Sequence, residues 1–222
     1  MSHYVHSFTP EDWQKAHNVA AAFEKRAGEK GYKSFNGDAE SRLRNHAIGQ
    51  LGEIAVARVS GAHYRGDRDE PRMNLPGDVG FVEVHTSEGY SDLILTTSDE
   101  VERSDRPFIH VAVNMEKRLA TITGWELAAH VFKMATPKKS KFNTNCWYWP
   151  PAKQQPPGGL LFLLGRWASA TKAWGSEPTV PVFMAKCERL GYQLELAEFA
   201  HIYGDELFHK KLAEGRRVLG AK

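Results

Sequence analysis

Apolar residues recur at helical spacing in three stretches of the chain. From Thr9 to Ala27, Trp13, Ala16, Val19, Ala20 and Phe23 fall on one face. Thr9 stands at an N-cap position, Pro10 suits the first turn, and Glu11 and Asp12 complement the positive helix end. From Ala39 to Ser60, Ala47, Ile48, Leu51, Ile54, Ala55 and Val59 form a second stripe. Gly49 and Gly52 interrupt it, each at a cost of about 1 kcal/mol relative to alanine. Close approach of another backbone to that face would offset the cost. The third stretch runs from Leu194 to Leu212, with Leu196, Phe199, Ala200 and Tyr203 on one side.

Between the second and third stretches the pattern shortens. Phe81–His85, Asp92–Thr97, Phe108–Asn114 and Leu119–Thr123 read as strands, and Gly124–Phe132 as a short helix. "SDEVERSDRP" between two of them reads as a solvated loop. Helix, meander of strands, helix is an α/β or α+β pattern. Pro150–Gly159 reads as a linker or an extended edge, and "GLLFLLGRW" as a strand or a helix. The division that follows is an N-terminal helix and connection (1–38), a core (39–149) and a C-terminal extension (150–222), packed on the core or mediating assembly.

Composition narrows the setting. The chain has 222 residues, 41% of them hydrophobic, enough for a buried core. No apolar run reaches the ~18 residues of a membrane span, and the N-terminus lacks the pattern of a secretory signal. Cys146 and Cys187 form no close pair, which argues against a disulfide framework or a zinc ribbon and for a reducing cytoplasm. A net charge of +2 leaves any nucleic-acid role to local basic patches.

Candidate chemistry concentrates in "PGDVGFVEVHTS", Pro76–Ser87. In a strand, residues two apart share a face, so Phe81, Glu83 and His85 point one way and Val82 and Val84 the other. A short bend at "PGD" brings Asp78 beside Glu83. Two adjacent carboxylates raise one pKa unless a cation relieves the repulsion. Mg²⁺ does so, with carboxylate oxygens, a main-chain carbonyl such as that of Val84, and water as ligands. His85 on the same face could orient or deprotonate water. The plainer reading makes Asp78 a turn residue, Glu83 the exposed face of an edge strand, and His85 its polar end.

"GQLGEIAVARVSG", "GDVGFVEVHTS", "SDLILTTSD", "RPFIHVAVN" and "TITGW", between Arg42 and Trp149, together resemble the PD-(D/E)xK nuclease superfamily, in particular its compact phage-associated members. The resemblance implies a restriction-endonuclease-like core, a central mixed sheet flanked by helices, with the C-terminal stretch as an extension. It implies a Mg²⁺- or Mn²⁺-dependent deoxyribonuclease in phage or prophage DNA metabolism, in a host cytoplasm if phage-encoded. Asp78 and Glu83 would be metal ligands, Glu53 the helix-borne acid completing the site, and His85 the occupant of the usual lysine position. Gln50, three residues before Glu53, is either near the site or a surface residue.

DNA is the partner this reading implies. Lys138, Lys139 and Lys141 could meet phosphates, as could Arg65 and Arg68 before the site. Phe142, Trp147, Tyr148 and Trp149 could stack on bases or form an aromatic edge strand packed on the core. His110 and Trp125 read as structural residues, and His209–Arg217 as a basic helix end. The competing reading is a non-catalytic nucleic-acid-binding or assembly protein that keeps the scaffold, with its C-terminal third as a surface for self-association or a protein partner.

Overall fold

A computed structural model describes residues 4–29, 38–66, 77–89, 92–140 and 143–220. Helices α1 (Pro10–Glu29) and α2 (Ala39–Ser60) form where the apolar stripes predict them. Reciprocal bonds close the start of α1: Asp12 N–H donates to Thr9 Oγ1 at 3.1 Å, and Thr9 N–H to the Asp12 carboxylate at 3.2 Å. That carboxylate also accepts from Arg58 of α2 at 2.8 Å, tying the two helices together. Asp38 caps α2 through Ser41 N–H at 2.8 Å, and Gly61 at φ 73° ends it.

A mixed four-stranded sheet lies against α2, in the order β1 (Tyr4–Ser7), β5 (Leu119–Leu127), β4 (Pro107–Asn114), β2 (Glu83–Glu88). β2 runs parallel to β4, and the other pairs are antiparallel. The chain is thus mixed α/β, with a mixed sheet flanked by helices.

The expected meander is corrected. β3 (Leu93–Thr96) leaves this sheet and joins β7 (Asn145–Trp149) and β6 (Lys138–Lys139) in a second one. Leu93 lies opposite Trp149 and Leu95 opposite Trp147, and these residues build a small separate core with Phe108 and Val131. "SDEVERSDRP" is no loop either. Its first half completes helix α3 (Thr97–Arg103), and the Asp99 carboxylate accepts from Thr96 N–H at 2.8 Å. The strand expected to end at Thr123 continues to Leu127, because Trp125, Glu126 and Leu127 pair with Ile109, Phe108 and Pro107. Helix α4 (Ala128–Met134) therefore starts four residues later than predicted.

"GLLFLLGRW" is helical. It lies in α5 (Gly158–Trp174), followed by α6 (Val180–Arg189) and α7 (Gln193–Gly220), which breaks at Gly204 (φ 67°, ψ 165°). Leu160, Leu164, Trp167 and Phe199 share one core with Ile109 and Ile122 of the sheet. Pro150–Gly159 is packed down: Trp125 and Gln155 exchange backbone bonds at 3.0 and 2.8 Å, and Trp125 Nε1 donates to Pro156 O at 3.0 Å. Among the described residues no helix is long and apolar enough to cross a membrane.

Of the two glycines in α2, Gly52 is the one pressed against a neighbour. A Cβ there would fall 1.9 Å from Thr86 Oγ1 of β2, whereas at Gly49 it would meet nothing within 4 Å. Gly52→Ala therefore must displace the Thr86 side chain or push β2 from the helix. We expect a loss of about 1–3 kcal/mol by urea titration despite alanine's better helix propensity. A gain in stability would show that Thr86 rotates away at no cost.

Candidate active site

The hairpin before β2 positions the first acid. At Gly77 a Cβ would lie 2.4 Å from Val82 O, so only glycine lets the chain fold back this tightly. Asp78 N–H donates to Val82 O at 2.8 Å, Val82 N–H to Val79 O at 3.1 Å, and Gly80 makes the turn at φ 58°. Phe81, expected to start the strand, instead plugs the core beneath the turn, its ring 5.2 Å from Trp167 and 5.7 Å from Phe199. Arg65 fastens the hairpin from outside. It donates to Gly77 O at 2.8 Å and Gly80 O at 3.2 Å and pairs with Glu177. With 9% of its side chain exposed, Arg65 is a structural clamp and presents little cationic surface to DNA.

The hairpin turns the Asp78 carboxylate onto Val84 N–H at 2.9 Å. That N–H points away from β4, off the outer edge of the sheet. In extended backbone a residue's N–H and C=O point the same way. The Val84 carbonyl is thus on the outer edge beside Asp78.

A cleft of about 200 Å³ opens along this edge, with Glu53, Asp78, Glu83, His85, Asp99 and Arg103 in its walls. Gly49 and Gln50 of α2 complete one side, the glycine leaving space that a side chain would fill. Gln50 Nε2 donates to Glu53 Oε1 at 3.1 Å and its Oε1 accepts from the Tyr64 hydroxyl, so Gln50 belongs to the cleft. Burial and the nearby Glu53 charge hold the Tyr64 hydroxyl well above its usual pKa, and it stays a donor.

Glu83 is 3% exposed. Burial, and secondarily the Asp78 charge, raise its pKa to about 7, against the opposing pull of Arg103 and Arg106. Arg106 donates to Glu83 Oε1, and Arg103 Nη1 reaches Glu83 Oε2 at 3.4 Å. His85 lies opposite His110 of β4, the two rings stacked at 5.8 Å. Burial lowers both imidazole pKa values, that of His110 to about 4, with Asp99 partly opposing the effect at His85. His110 is structural, as the sequence suggests: Nδ1 meets Thr123 Oγ1 at 2.7 Å and Nε2 meets Ser87 Oγ at 3.0 Å.

The raised Glu83 pKa makes stability depend on pH. Between the unfolded value of 4.5 and about 7 the folded protein binds more protons than the unfolded chain. Its contribution to stability is present below pH 4.5 and is lost as pH rises through 7. In EDTA, wild type should lose about 3 kcal/mol more than Glu83→Gln between pH 4.5 and 8, measured by urea titration. Parallel pH profiles for the two proteins would refute the shift.

The donor set, three carboxylates and an edge carbonyl around a charge that burial leaves poorly relieved, suits a hard divalent ion in kind. The side chains do not gather around one point: among the described residues no three His, Cys, Asp or Glu groups converge to hold a metal. Arginine holds Glu83, and Asp78 Oδ2 holds Val84 N–H.

Of the basic residues expected to meet DNA, Lys138 and Lys139 are exposed on β6, two strands or ~10 Å from β3, whose Ile94 lines the cleft. Arg68 and Lys141 lie outside the described residues, as does Phe142. Trp147 and Trp149 are buried at 6% and 5% exposure, and Lys138 Nζ sits 5.9 Å from the Tyr148 ring centroid. The two tryptophans therefore pack the small core and present no stacking platform. In the basic C-terminal stretch, Lys211 pairs with Asp105 and Arg216 with Glu188.

The sequence reading missed Arg103, Arg106 and Asp99. A signal was present in "TTSD", where Thr96 followed three residues later by Asp99 is a helix-start pattern. Continuing that helix puts Arg103 one turn beyond Asp99, on the same side. The chain matches no family model, no curated protein and no solved structure.

Proposed function

We propose that the chain is a metal-dependent nuclease that hydrolyses DNA phosphodiester bonds on a restriction-endonuclease-like core of the PD-(D/E)xK type. The observation that carries the reading is the cleft: Glu53 from α2, Asp78 from the hairpin and Glu83 with His85 from β2 line one pocket. Proximity to Asp78 adds to the burial that raises the Glu83 pKa. Asp78, Glu83 and the Val84 carbonyl would hold Mg²⁺ or Mn²⁺, with Glu53 assisting. Such an ion would supply an activated water and neutralise charge on phosphate.

The chain's own groups divide the remaining work. Gln50 and Tyr64 fix Glu53. Arg106 steadies Glu83. His85, uncharged near neutral pH, can orient water or accept its proton. The exposed Lys138 and Lys139 would attract the DNA backbone. The resemblance would set such an enzyme in phage or prophage DNA metabolism, and the two widely spaced cysteines suit a reducing cytoplasm.

One observation favours a second reading, a nucleic-acid-binding or assembly protein without catalysis. Glu83 already has two guanidinium partners, as a retired metal ligand would. The test is incubation of the protein with linear, supercoiled and single-stranded DNA in EDTA, Mg²⁺ or Mn²⁺. Cleavage only with metal upholds the nuclease. DNA binding without cleavage under any metal leaves the second reading.

A further inference from the structure

Arg103 is the one arginine or lysine among the described walls of the cleft. Both of its hydrogen bonds among the described residues leave from Nη1, to Glu83 Oε2 and to Asp99 Oδ1, each at 3.4 Å. Those are long contacts, at the outer limit of a useful bond. Neither uses the two-pronged geometry in which a guanidinium binds oxyanions best. Nε and Nη2 make no bond among the described residues.

The surroundings explain why this arginine can change partners. Arg106 also donates to Glu83, so Glu83 stays paired when Arg103 moves. Asp99 holds Arg103 at the mouth from one turn back, while its other oxygen accepts from Thr96 N–H at the start of α3. The side chain is 18% exposed, enough to meet a ligand entering the cleft. Glu53, Asp78, Glu83 and Asp99 otherwise make these walls acidic, and a phosphate could enter only against repulsion unless a cation met it.

We propose that Arg103 is the phosphate-binding residue of this cleft, turning its guanidinium fork from Glu83 to the oxygens of a nucleic-acid phosphodiester. Asp99 is its positioning residue. The inference rests on the nuclease reading for its ligand, and it gives the site a cation that does not come from the β2 strand.

Binding of a fluorescein-labelled DNA duplex is measured by anisotropy over a salt series, in EDTA and in Ca²⁺, for wild type, Arg103→Gln and Arg103→Lys. We expect Arg103→Gln to weaken binding about tenfold and to reduce the slope of log K against log salt by about one. Arg103→Lys should keep the slope and lose part of the affinity, since the charge remains and the fork does not. An arginine that only neutralised Glu83 would move the thermal midpoint and leave the salt slope alone. Wild-type affinity and slope in Arg103→Gln would overturn the proposal. If that variant fails to fold, unchanged affinity in Arg103→Lys would overturn it. Failure of the nuclease reading shows separately, as absence of wild-type cleavage in Mg²⁺ or Mn²⁺ whatever the slope does.

Discussion

Asp78→Ala and Glu83→Ala should each lower metal-dependent DNA cleavage by at least about a thousandfold, with the protein still folded. A metal's share of transition-state stabilisation is several kcal/mol, and about 4 kcal/mol corresponds to a thousandfold. Both acids should be indispensable because they, with the Val84 carbonyl, form the proposed metal-holding set, in which Glu53 only assists. Folding should survive for different reasons at the two positions. At Glu83 the substitution removes a carboxylate whose ionisation burial disfavours. Arg103 and Arg106, at 18% and 19% exposure, can reach water. At Asp78 it removes the acceptor of Val84 N–H, a loss of about 1 kcal/mol. Asp78→Asn keeps an acceptor and separates the two effects. The decisive measurement is cleavage rate in Mn²⁺ beside a circular dichroism melt. Cleavage retained by both folded alanine variants would remove these residues from catalysis.

Trp167→Ala should cost about 3–5 kcal/mol, the range for deleting a fully buried aromatic side chain. Trp167 is 1% exposed, and its ring lies 5.2 Å from Phe81 and 5.3 Å from Phe183. Its indole N–H donates to Glu177 at 3.2 Å. Glu177 in turn holds Arg65, which holds the Gly77 and Gly80 carbonyls. A Cβ at Gly80 would itself lie 3.5 Å from the Trp167 ring. The substitution therefore strikes the core and the hairpin that aims Asp78. Urea titration should show a lower midpoint. Metal-dependent cleavage, measured where the variant remains folded, should fall as well. Trp167→Phe, which keeps most of the volume, should recover much of the stability. A loss of stability with cleavage untouched would show that Asp78 is held independently of α5.

The two helices α1 and α2 were legible in the sequence because their information is local. A stripe at 3.6 spacing and side chains such as Thr9, with Asp12, that can close a helix end depend on neighbours a few residues away. The close approach at Gly52 was legible for a similar reason, since a glycine inside a good helix costs stability that a closely packed neighbour can offset. The sequence also placed Asp78 and Glu83 near one another, because a tight turn constrains residues six or fewer positions apart.

Strand partnership was not legible in this way. Nothing in "LILT" says whether Leu93–Thr96 pairs with β2 or with Asn145–Trp149; the tryptophans that bury it lie some fifty residues on. Strand β5 outran its expected end because pairing with β4 overrode the helical pattern after Gly124. The same holds for charge. Arg65 reads as a surface cation until the hairpin carbonyls and Glu177 surround it, and Arg103 and Arg106 read as solvated until the fold lays them on Glu83. The sequence by itself determined which residues can carry charge, turn the chain and cap a helix. Tertiary structure alone decided which charges meet and which are buried, because Coulomb energy and desolvation depend on distances that only packing sets.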